Sequence, residues 1–78
     1  MYILYIEQGC PYGDKVIRFM KENDISVELR DRDVPPHEAN LVSRGGKRQT
    51  PYLVDEAHSV EMYESDKIIQ YLRMRENA

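Results

Sequence analysis

The stretch YILYIEQGCPYGDKVIRFMKENDISVELRD, residues 2–31, contains the pattern that decides the fold. It opens with YILYI (Tyr2–Ile6), a continuous run of apolar and β-favouring side chains, which predicts a strand covered on both faces at the centre of a sheet. Between Tyr12 and Asn23 the apolar side chains fall mostly on one helical face, which predicts an amphipathic helix. ISVELRD, residues 25–31, alternates strictly between apolar and polar residues and predicts a half-exposed strand at a sheet edge.

A strand, a helix and a second strand in this order form a βαβ unit, in which the two strands are parallel and the crossover is right-handed. In the second strand Ile25, Val27 and Leu29 share the apolar face, and the residues between them are polar. We therefore expect the first strand inside the sheet and the second beside it, with one face toward solvent.

The middle of the chain predicts a second helix and a β-hairpin. VPPHEANLVSRGG, residues 34–46, begins with two prolines that can open a short helix and ends with two glycines that can close it. TPYLVDEAHSVEMY contains two short β-favouring runs, Tyr52–Val54 and Ser59–Met62, which a polar stretch of hairpin length separates.

The final segment, ESDKIIQYLRMREN at residues 64–77, predicts an amphipathic helix that carries Ile68 and Leu72 at helical spacing. Glu64 or Ser65 stands where a side chain can cap its start. The element order is βαβαββα, which predicts an α/β fold with a four-stranded mixed sheet and helices on both faces.

Length and composition limit the classes of function. The 78 residues suffice for one small domain, residues 1–78, and 41% apolar residues are too many for a disordered chain. A net charge of −3 argues against a nucleic-acid surface, and the longest apolar run is too short for a membrane span. This run also lacks a basic n-region and a small-residue cleavage site, so no signal peptide is predicted. Neither of the two histidines has a nearby cysteine or second histidine at zinc spacing, so no metal site is predicted. A single cysteine excludes an internal disulfide and favours a reducing, cytoplasmic setting.

That cysteine, Cys10, lies at the junction of the first strand and the first helix, and Pro11 follows at or near the first helical position. A thiol there faces unpaired backbone N–H groups and the positive end of the helix dipole, which both favour the thiolate. The alternative is that Cys10 is a buried, small apolar residue, as cysteine often is. The position favours a reactive nucleophile.

Three motifs resemble those of the thioredoxin-like superfamily, and together they extend over nearly the whole chain. CPYG, residues 10–13, is similar to the glutaredoxin active site CPYC with its second cysteine replaced by glycine. Thr50–Pro51, just before the hairpin, resembles the element that carries the cis-proline of this superfamily. YESD, residues 63–66, resembles the segment of glutathione transferase N-terminal domains whose Glu-Ser pair receives the γ-glutamyl end of glutathione. The resemblance implies a thioredoxin-like (glutaredoxin) fold.

The resemblance also implies a glutathione site beside the cysteine. A cis-proline would turn the backbone N–H and C=O of Thr50 toward a peptide-like ligand. Ser65 and the free N–H groups of the last helix would take a carboxylate, and Glu64 or Asp66 would pair with the amine. The predicted glutathione-binding residues are Tyr12, Lys47, Gln49, Thr50, Pro51, Glu64, Ser65 and Asp66.

Each of these residues also has a purely structural interpretation. Pro51 can simply begin a strand, and Glu64 and Ser65 can serve only as helix caps. Tyr12 can pack against the fold instead of bordering a groove. The basic residues before Thr50 can be ordinary solvated charges, although the glycyl carboxylate of glutathione would need a cation there; they are Arg44, Lys47 and Arg48.

Gly13 replaces the second cysteine, so only a monothiol mechanism remains. In this mechanism the Cys10 thiolate attacks a glutathione mixed disulfide, and a second glutathione then releases the first. Glu7 and Asp14, two acids close to the cysteine, oppose the thiolate. The leading hypothesis is a monomeric, glutathione-dependent thiol–disulfide oxidoreductase, with catalytic Cys10 and glutathione as co-substrate. Its partners would be glutathionylated proteins or small disulfides.

Two other functions stay open. Single-cysteine glutaredoxins can hold a [2Fe-2S] cluster between two subunits, with two thiolates and two glutathiones as ligands. A transferase-like domain can also bind glutathione or a protein without any chemistry. The 78 residues leave no room for the all-helical domain of a transferase, so conjugation of bulky electrophiles is not expected.

Overall fold

The computed structural model describes residues 1–77, and its elements follow the predicted order βαβαββα. The strands are β1 (Tyr2–Ile6), β2 (Val27–Asp31), β3 (Tyr52–Asp55) and β4 (Val60–Tyr63), and the helices are α1 (Pro11–Glu22), α2 (His37–Gly45) and α3 (Ser65–Glu76). The sheet order is β2-β1-β3-β4, in which β1 runs parallel to β2 and antiparallel to β3, and β3 runs antiparallel to β4. The predicted α/β fold with a mixed four-stranded sheet is confirmed.

The strand β1 lies at the centre of the sheet and is covered on both faces. Tyr2 and Leu4 pack into one core cluster with buried residues of α1 and α3. Ile3 and Tyr5 point the other way, into a second cluster that contains Leu41 of α2. Alternation along a strand sends successive side chains to opposite faces, so a continuous apolar run needs cover on both. Helices on both faces were therefore predictable from five residues.

The edge strand β2 differs from its prediction in two respects. It begins at Val27 and not at Ile25, because the backbone N–H of Ile25 still donates to the carbonyl of Met20, at 2.8 Å, in the turn that ends α1. Leu29, expected on the covered face, is 45% exposed and belongs to neither core cluster. A strand with one neighbour lies at the margin of the sheet, where the helices do not cover Leu29.

The predicted bounds of the helices agree with the structure better than the predicted side-chain caps do. The helix α2 starts after Pro36 and ends at Gly45, and its C-cap residue Gly46 has a φ of +84°, the left-handed conformation that glycine adopts readily. At α3, by contrast, no side chain caps the first turn. Glu64 occupies the predicted N-cap position but its side chain makes no capping bond, and Ser65 is already the first helical residue.

Gly45, the last residue of α2, packs against the aromatic pair of the hairpin. The ring centroids of Tyr52 and Tyr63 lie 4.5 Å apart. A Cβ on Gly45 would collide with the Tyr63 hydroxyl, and it would lie 2.7 Å from Cζ of Tyr63 and 3.0 Å from Cε1 of Tyr52. The absence of a side chain at Gly45 therefore lets α2 approach this end of the sheet.

We expect Gly45→Ala to lower the free energy of unfolding by about 1–3 kcal/mol, because the added methyl group forces Tyr63 out of place. The matched control is Gly13→Ala, where the new Cβ would meet Cγ2 of Ile6 at an ordinary 3.5 Å. Removal of a helical glycine there should stabilise the fold by up to about 1 kcal/mol. Urea unfolding measures both values, and equal stabilities of the two variants would contradict the packing argument.

Asp55, at the end of β3, is a buried carboxylate that accepts hydrogen bonds from two side chains. It is 2% exposed and accepts from the Tyr71 hydroxyl at 2.5 Å and from Nδ1 of His58 at 2.9 Å. Burial by itself raises the pKa of the Asp55 carboxyl, but the bonds from Tyr71 and His58 outweigh it, and the pKa lies below its ordinary value. A carboxyl whose pKa is depressed by folding stabilises the fold above its unfolded pKa, and this contribution is lost as the pH falls through the folded pKa.

Tyr71→Phe should lower the free energy of unfolding by about 1–3 kcal/mol at neutral pH, because a buried carboxylate loses a donor. It should also raise the pKa of Asp55, so that the acid loss of stability begins at a higher pH than in the parent protein. Urea unfolding between about pH 3 and pH 7 tests both effects. Tyr12→Phe, in which the altered side chain is 64% exposed, is the control and should change neither quantity.

Candidate functional site

Cys10 is the N-cap residue of α1. Its backbone is extended, with φ −81° and ψ 119°, and its side chain caps no N–H group of the helix. The Cys10 N–H donates to the carbonyl of Glu7 at 3.2 Å, and the Cys10 carbonyl accepts from the N–H of Asp14 at 3.1 Å. Gly9, with a φ of +80°, completes the turn. The thiol is free and partly exposed at the helix start, as an accessible nucleophile requires.

The sheet register brings three chain segments to the end of β1 from which this turn leaves. Tyr5 pairs with Tyr52, and Tyr52 pairs with Tyr63 on the far strand. The next residue of each segment in the same direction is Ile6, Pro51 or Glu64. The turn to Cys10 follows Ile6, Pro51 comes just before β3, and Glu64 comes just after β4. The segments that carry the three motifs therefore meet because the hydrogen-bond ladder aligns them.

A groove of about 350 Å³ opens where these segments meet. Its walls are Tyr12, Gln49, Thr50, Pro51, Glu64, Ser65 and Asp66. These are the predicted glutathione-binding residues with one exception, Lys47. Cys10 is not part of the wall, but it stands two residues before Tyr12 in the same first turn of α1.

The loop before β3 ends in a cis peptide bond between Thr50 and Pro51. Pro51 is buried, while Thr50 is half-buried and Gln49 is exposed. The backbone of this loop therefore changes within three residues from solvent to core. The polar side of the loop forms one wall of the groove, and the proline ring anchors it.

The start of α3 forms the opposite wall. Glu64 has φ +78° and ψ 114°, a left-handed region that residues with a side chain adopt only under strain. The first helical bond is donated by Ile68 to the Glu64 carbonyl at 2.9 Å, so the N–H groups of residues 65–67 have no partner within the helix. Such N–H groups can bind an anion. The Asp66 carboxylate forms an exposed ion pair with Lys15 of α1.

The two arginines near the groove are paired elsewhere. Arg44 contacts the Glu61 carboxylate at 3.3 Å. Arg48 forms an ion pair with Glu38 and contacts Asp33 at 3.5 Å. Neither arginine lines the groove, so the expectation that this basic cluster faces the ligand holds for neither of them.

Lys47 and Tyr63 are joined by two hydrogen bonds. The Lys47 N–H donates to the Tyr63 hydroxyl at 3.1 Å, and this hydroxyl donates to the Lys47 carbonyl at 2.9 Å. The Lys47 ammonium lies 5.8 Å from the centroid of the Tyr63 ring. Tyr63 thus fixes the backbone of the loop, while the Lys47 side chain stays outside the groove wall.

Sequence reasoning missed two ion pairs at this site, Arg32 with Glu7 and Lys15 with Asp66. The partners are 25 and 51 residues apart in the sequence, so no local pattern could indicate them. Within the described part of the chain no group of three or more potential ligands could hold a metal ion. No helix in residues 1–77 is long and apolar enough to cross a membrane.

Residues 4–78 match the family model described as the glutathione S-transferase N-terminal domain. The chain belongs to this family. No curated protein sequence matches it significantly. The predicted membership in the thioredoxin-like superfamily is confirmed, and within it the family match is to the transferase domain.

Solved structures show the same fold. Human glutathione transferase theta-2, in complex with glutathione and an unknown ligand, superposes with a TM-score of 0.86 over 100% of this chain and 32% of its own, at 23% identity. Glutaredoxin 2 from Salmonella typhimurium, in complex with glutathione, gives 0.80 over 97% and 34%, at 26% identity. The apo form of human glutathione-S-transferase T1-1 gives 0.80 over 96% and 32%, also at 26% identity. The chain spans about a third of the length of these proteins.

In this transferase-type domain we expect Glu64→Gly to keep or raise the free energy of unfolding. Loss of the backbone strain at residue 64 should stabilise the folded state by about 1–3 kcal/mol. The greater conformational freedom of glycine in the unfolded chain should offset about 0.5–1 kcal/mol of this gain. Glu56→Gly, at an exposed turn position without a positive φ, should instead destabilise the fold. Thermal and urea unfolding compare the two, and a clear loss of stability in Glu64→Gly would show that the Glu64 side chain is needed for folding.

Proposed function

We propose that the domain binds glutathione in the groove and reduces glutathione mixed disulfides through Cys10 by a monothiol mechanism. The observation that carries the proposal is the register of the sheet, which brings the Cys10 turn, Pro51 and Glu64 to one end of β1. The likeness to the glutathione complex of glutaredoxin 2 supports the choice of ligand. We propose a monomer that acts in the cytoplasm, where thiols stay reduced.

We assign each charged end of glutathione a polar counterpart among the residues of the groove. The Ser65 hydroxyl and the free N–H groups at the start of α3 would bind the γ-glutamyl carboxylate. Glu64 would pair with the amine, and Asp66 would do so in exchange for its exposed pair with Lys15. The glycyl carboxylate would meet the amide of Gln49.

The remaining groups would orient the middle of the peptide. The backbone N–H and C=O of Thr50, beside the cis bond, would pair with the cysteinyl residue as a neighbouring strand does. Tyr12, 64% exposed, would cover the groove from α1. Lys47 is exposed on the same loop, and its long side chain would reach the glycyl carboxylate from solvent.

The chemistry is an exchange of disulfides in two steps. The Cys10 thiolate attacks the glutathione sulfur of a glutathionylated protein, which forms the Cys10–glutathione disulfide and releases the protein thiolate. The thiolate of a second glutathione then attacks the glutathione sulfur of that disulfide, which yields oxidised glutathione and restores the Cys10 thiolate. Overall, the protein sulfur is reduced to a thiol and the sulfur of the added glutathione is oxidised, while the transferred glutathione sulfur stays in a disulfide throughout.

The first experiment follows glutathione release from a glutathionylated peptide in the presence of reduced glutathione, for the parent protein and for Cys10→Ser. We expect a parent rate at least about tenfold above background and a variant rate equal to background, since the thiolate is the nucleophile. Equal rates for both proteins would refute the oxidoreductase.

Glutathione binding is measured separately by calorimetry on Cys10→Ser, which cannot form the mixed disulfide. Introducing Ser65→Ala into the Cys10→Ser protein should weaken glutathione binding about tenfold. The γ-glutamyl carboxylate would lose a hydrogen bond from the Ser65 hydroxyl, worth about 1.5 kcal/mol. Ser43→Ala, on the exposed side of α2, is the control and should leave the affinity unchanged. An unaltered affinity in the Ser65 variant would remove the γ-glutamyl assignment.

A second candidate is a glutathione-binding module without redox chemistry, which the match to the transferase family favours. It predicts normal calorimetric binding together with background rates of glutathione release. For the [2Fe-2S] alternative, the test is visible absorbance of the protein purified without oxygen. Absorbance that disappears in Cys10→Ser would support the cluster.

A further inference from the structure

Arg32 stands at the end of the sheet where the candidate site is built. It follows the last residue of β2, and its backbone N–H donates to the carbonyl of Ile6 at 2.7 Å, which extends the parallel ladder by one bond. Its side chain is only 12% exposed. A guanidinium this deeply covered needs several acceptors, since a buried charge is costly unless it is paired.

Two nitrogens of the guanidinium find acceptors on two different loops, whereas the buried Nε, 3.6 Å from the Asp33 carboxylate, has no hydrogen-bond partner. Nη2 donates to the carboxylate of Glu7, in the turn that leads from β1 to Cys10. Nη1 donates to the backbone carbonyl of Arg48 at 3.3 Å, in the loop that leads to Gln49 and Thr50. One planar group thus joins the loop that carries the thiol to the loop that forms a groove wall.

Each contact acts on a residue adjacent to the site. The carbonyl of Glu7 accepts the N–H of Cys10 at 3.2 Å, so a fixed Glu7 fixes the turn that carries the thiol. The carbonyl of Arg48 belongs to the peptide bond that leads into Gln49, a groove residue. We propose that Arg32 is a positioning residue, which sets the distance between the Cys10 thiol and glutathione in the groove; this inference rests on the function proposed above.

The geometry distinguishes this role from simple compensation of charge. A guanidinium donates in several fixed directions, whereas a lysine ammonium is a point charge on a flexible stem. A lysine at position 32 would neutralise the Glu7 carboxylate but could not donate in two fixed directions to Glu7 and to the Arg48 carbonyl. The cavity of about 390 Å³ that Arg32 and Arg48 also line offers no separate anion site, because Glu7, Asp33 and Glu38 already pair with these cations.

The test compares Arg32→Lys and Arg32→Gln with matched changes of Arg30, a β2 arginine that binds the Tyr5 hydroxyl and Glu28 away from both loops. In both Arg32 variants kcat/KM for glutathione release should fall about 10- to 100-fold, because a small displacement of the reacting atoms is costly. Glutathione affinity, measured by calorimetry in the Cys10→Ser background, should change by less than about threefold, as should all values for the Arg30 variants.

A second readout does not depend on activity. Amide hydrogen exchange at Cys10, whose N–H donates to Glu7, should accelerate in both Arg32 variants and in neither Arg30 variant. Parent-like kcat/KM in Arg32→Lys would overturn the positioning role in favour of charge alone. If the parent protein itself releases no glutathione, the proposed function fails, and unchanged exchange at Cys10 in Arg32→Lys would then overturn the bridge independently.

Discussion

The burial of β1 on both faces is the constraint on which the rest of the structure depends. Because Tyr2–Ile6 is sandwiched between two core clusters, neither the face nor the register of its neighbours is free to slip. Because β3 pairs antiparallel with β1, Pro51 at the start of β3 lies beside the end of β1, where the chain turns toward Cys10. The candidate site is thus a consequence of core packing, and its parts meet without any contact among the site residues being required.

The two ends of this sheet have opposite chemical character. At one end Asp55 is covered and fully supplied with donors from Tyr71 and His58. At the other end the first N–H groups of α3 have no helical partner, and Glu64 keeps a strained backbone. A satisfied polar network stabilises a fold, whereas unsatisfied groups in a groove are available to a ligand. The contrast is consistent with function at the end that contains Cys10.

Sequence patterns sufficed for features that depend on local chemistry or on alternation. They predicted the seven elements, the central strand and the helix start at Cys10, and they named the residues that the sheet gathers into the groove. They failed where distant residues decide the outcome. Leu29 is exposed because it lies at a margin that only the tertiary fold defines, and Arg48 turns to Glu38 and Asp33 instead of to the groove. No sequence pattern indicated a role for Arg32, because the groups that accept its hydrogen bonds lie on other loops, distant in the sequence.

Gly13 gives the chain an unused possibility. It lies three residues after Cys10, on the same side of the first helical turn, and space exists there for a Cβ beside Ile6. Half of the glycine codons differ from a cysteine codon by a single nucleotide. A second cysteine is therefore within one mutational step, and its Cβ would make only an ordinary contact with Ile6. Under the proposed function, a cysteine at this position would supply an internal resolving thiol, so glycine keeps the release of the Cys10–glutathione disulfide dependent on free glutathione.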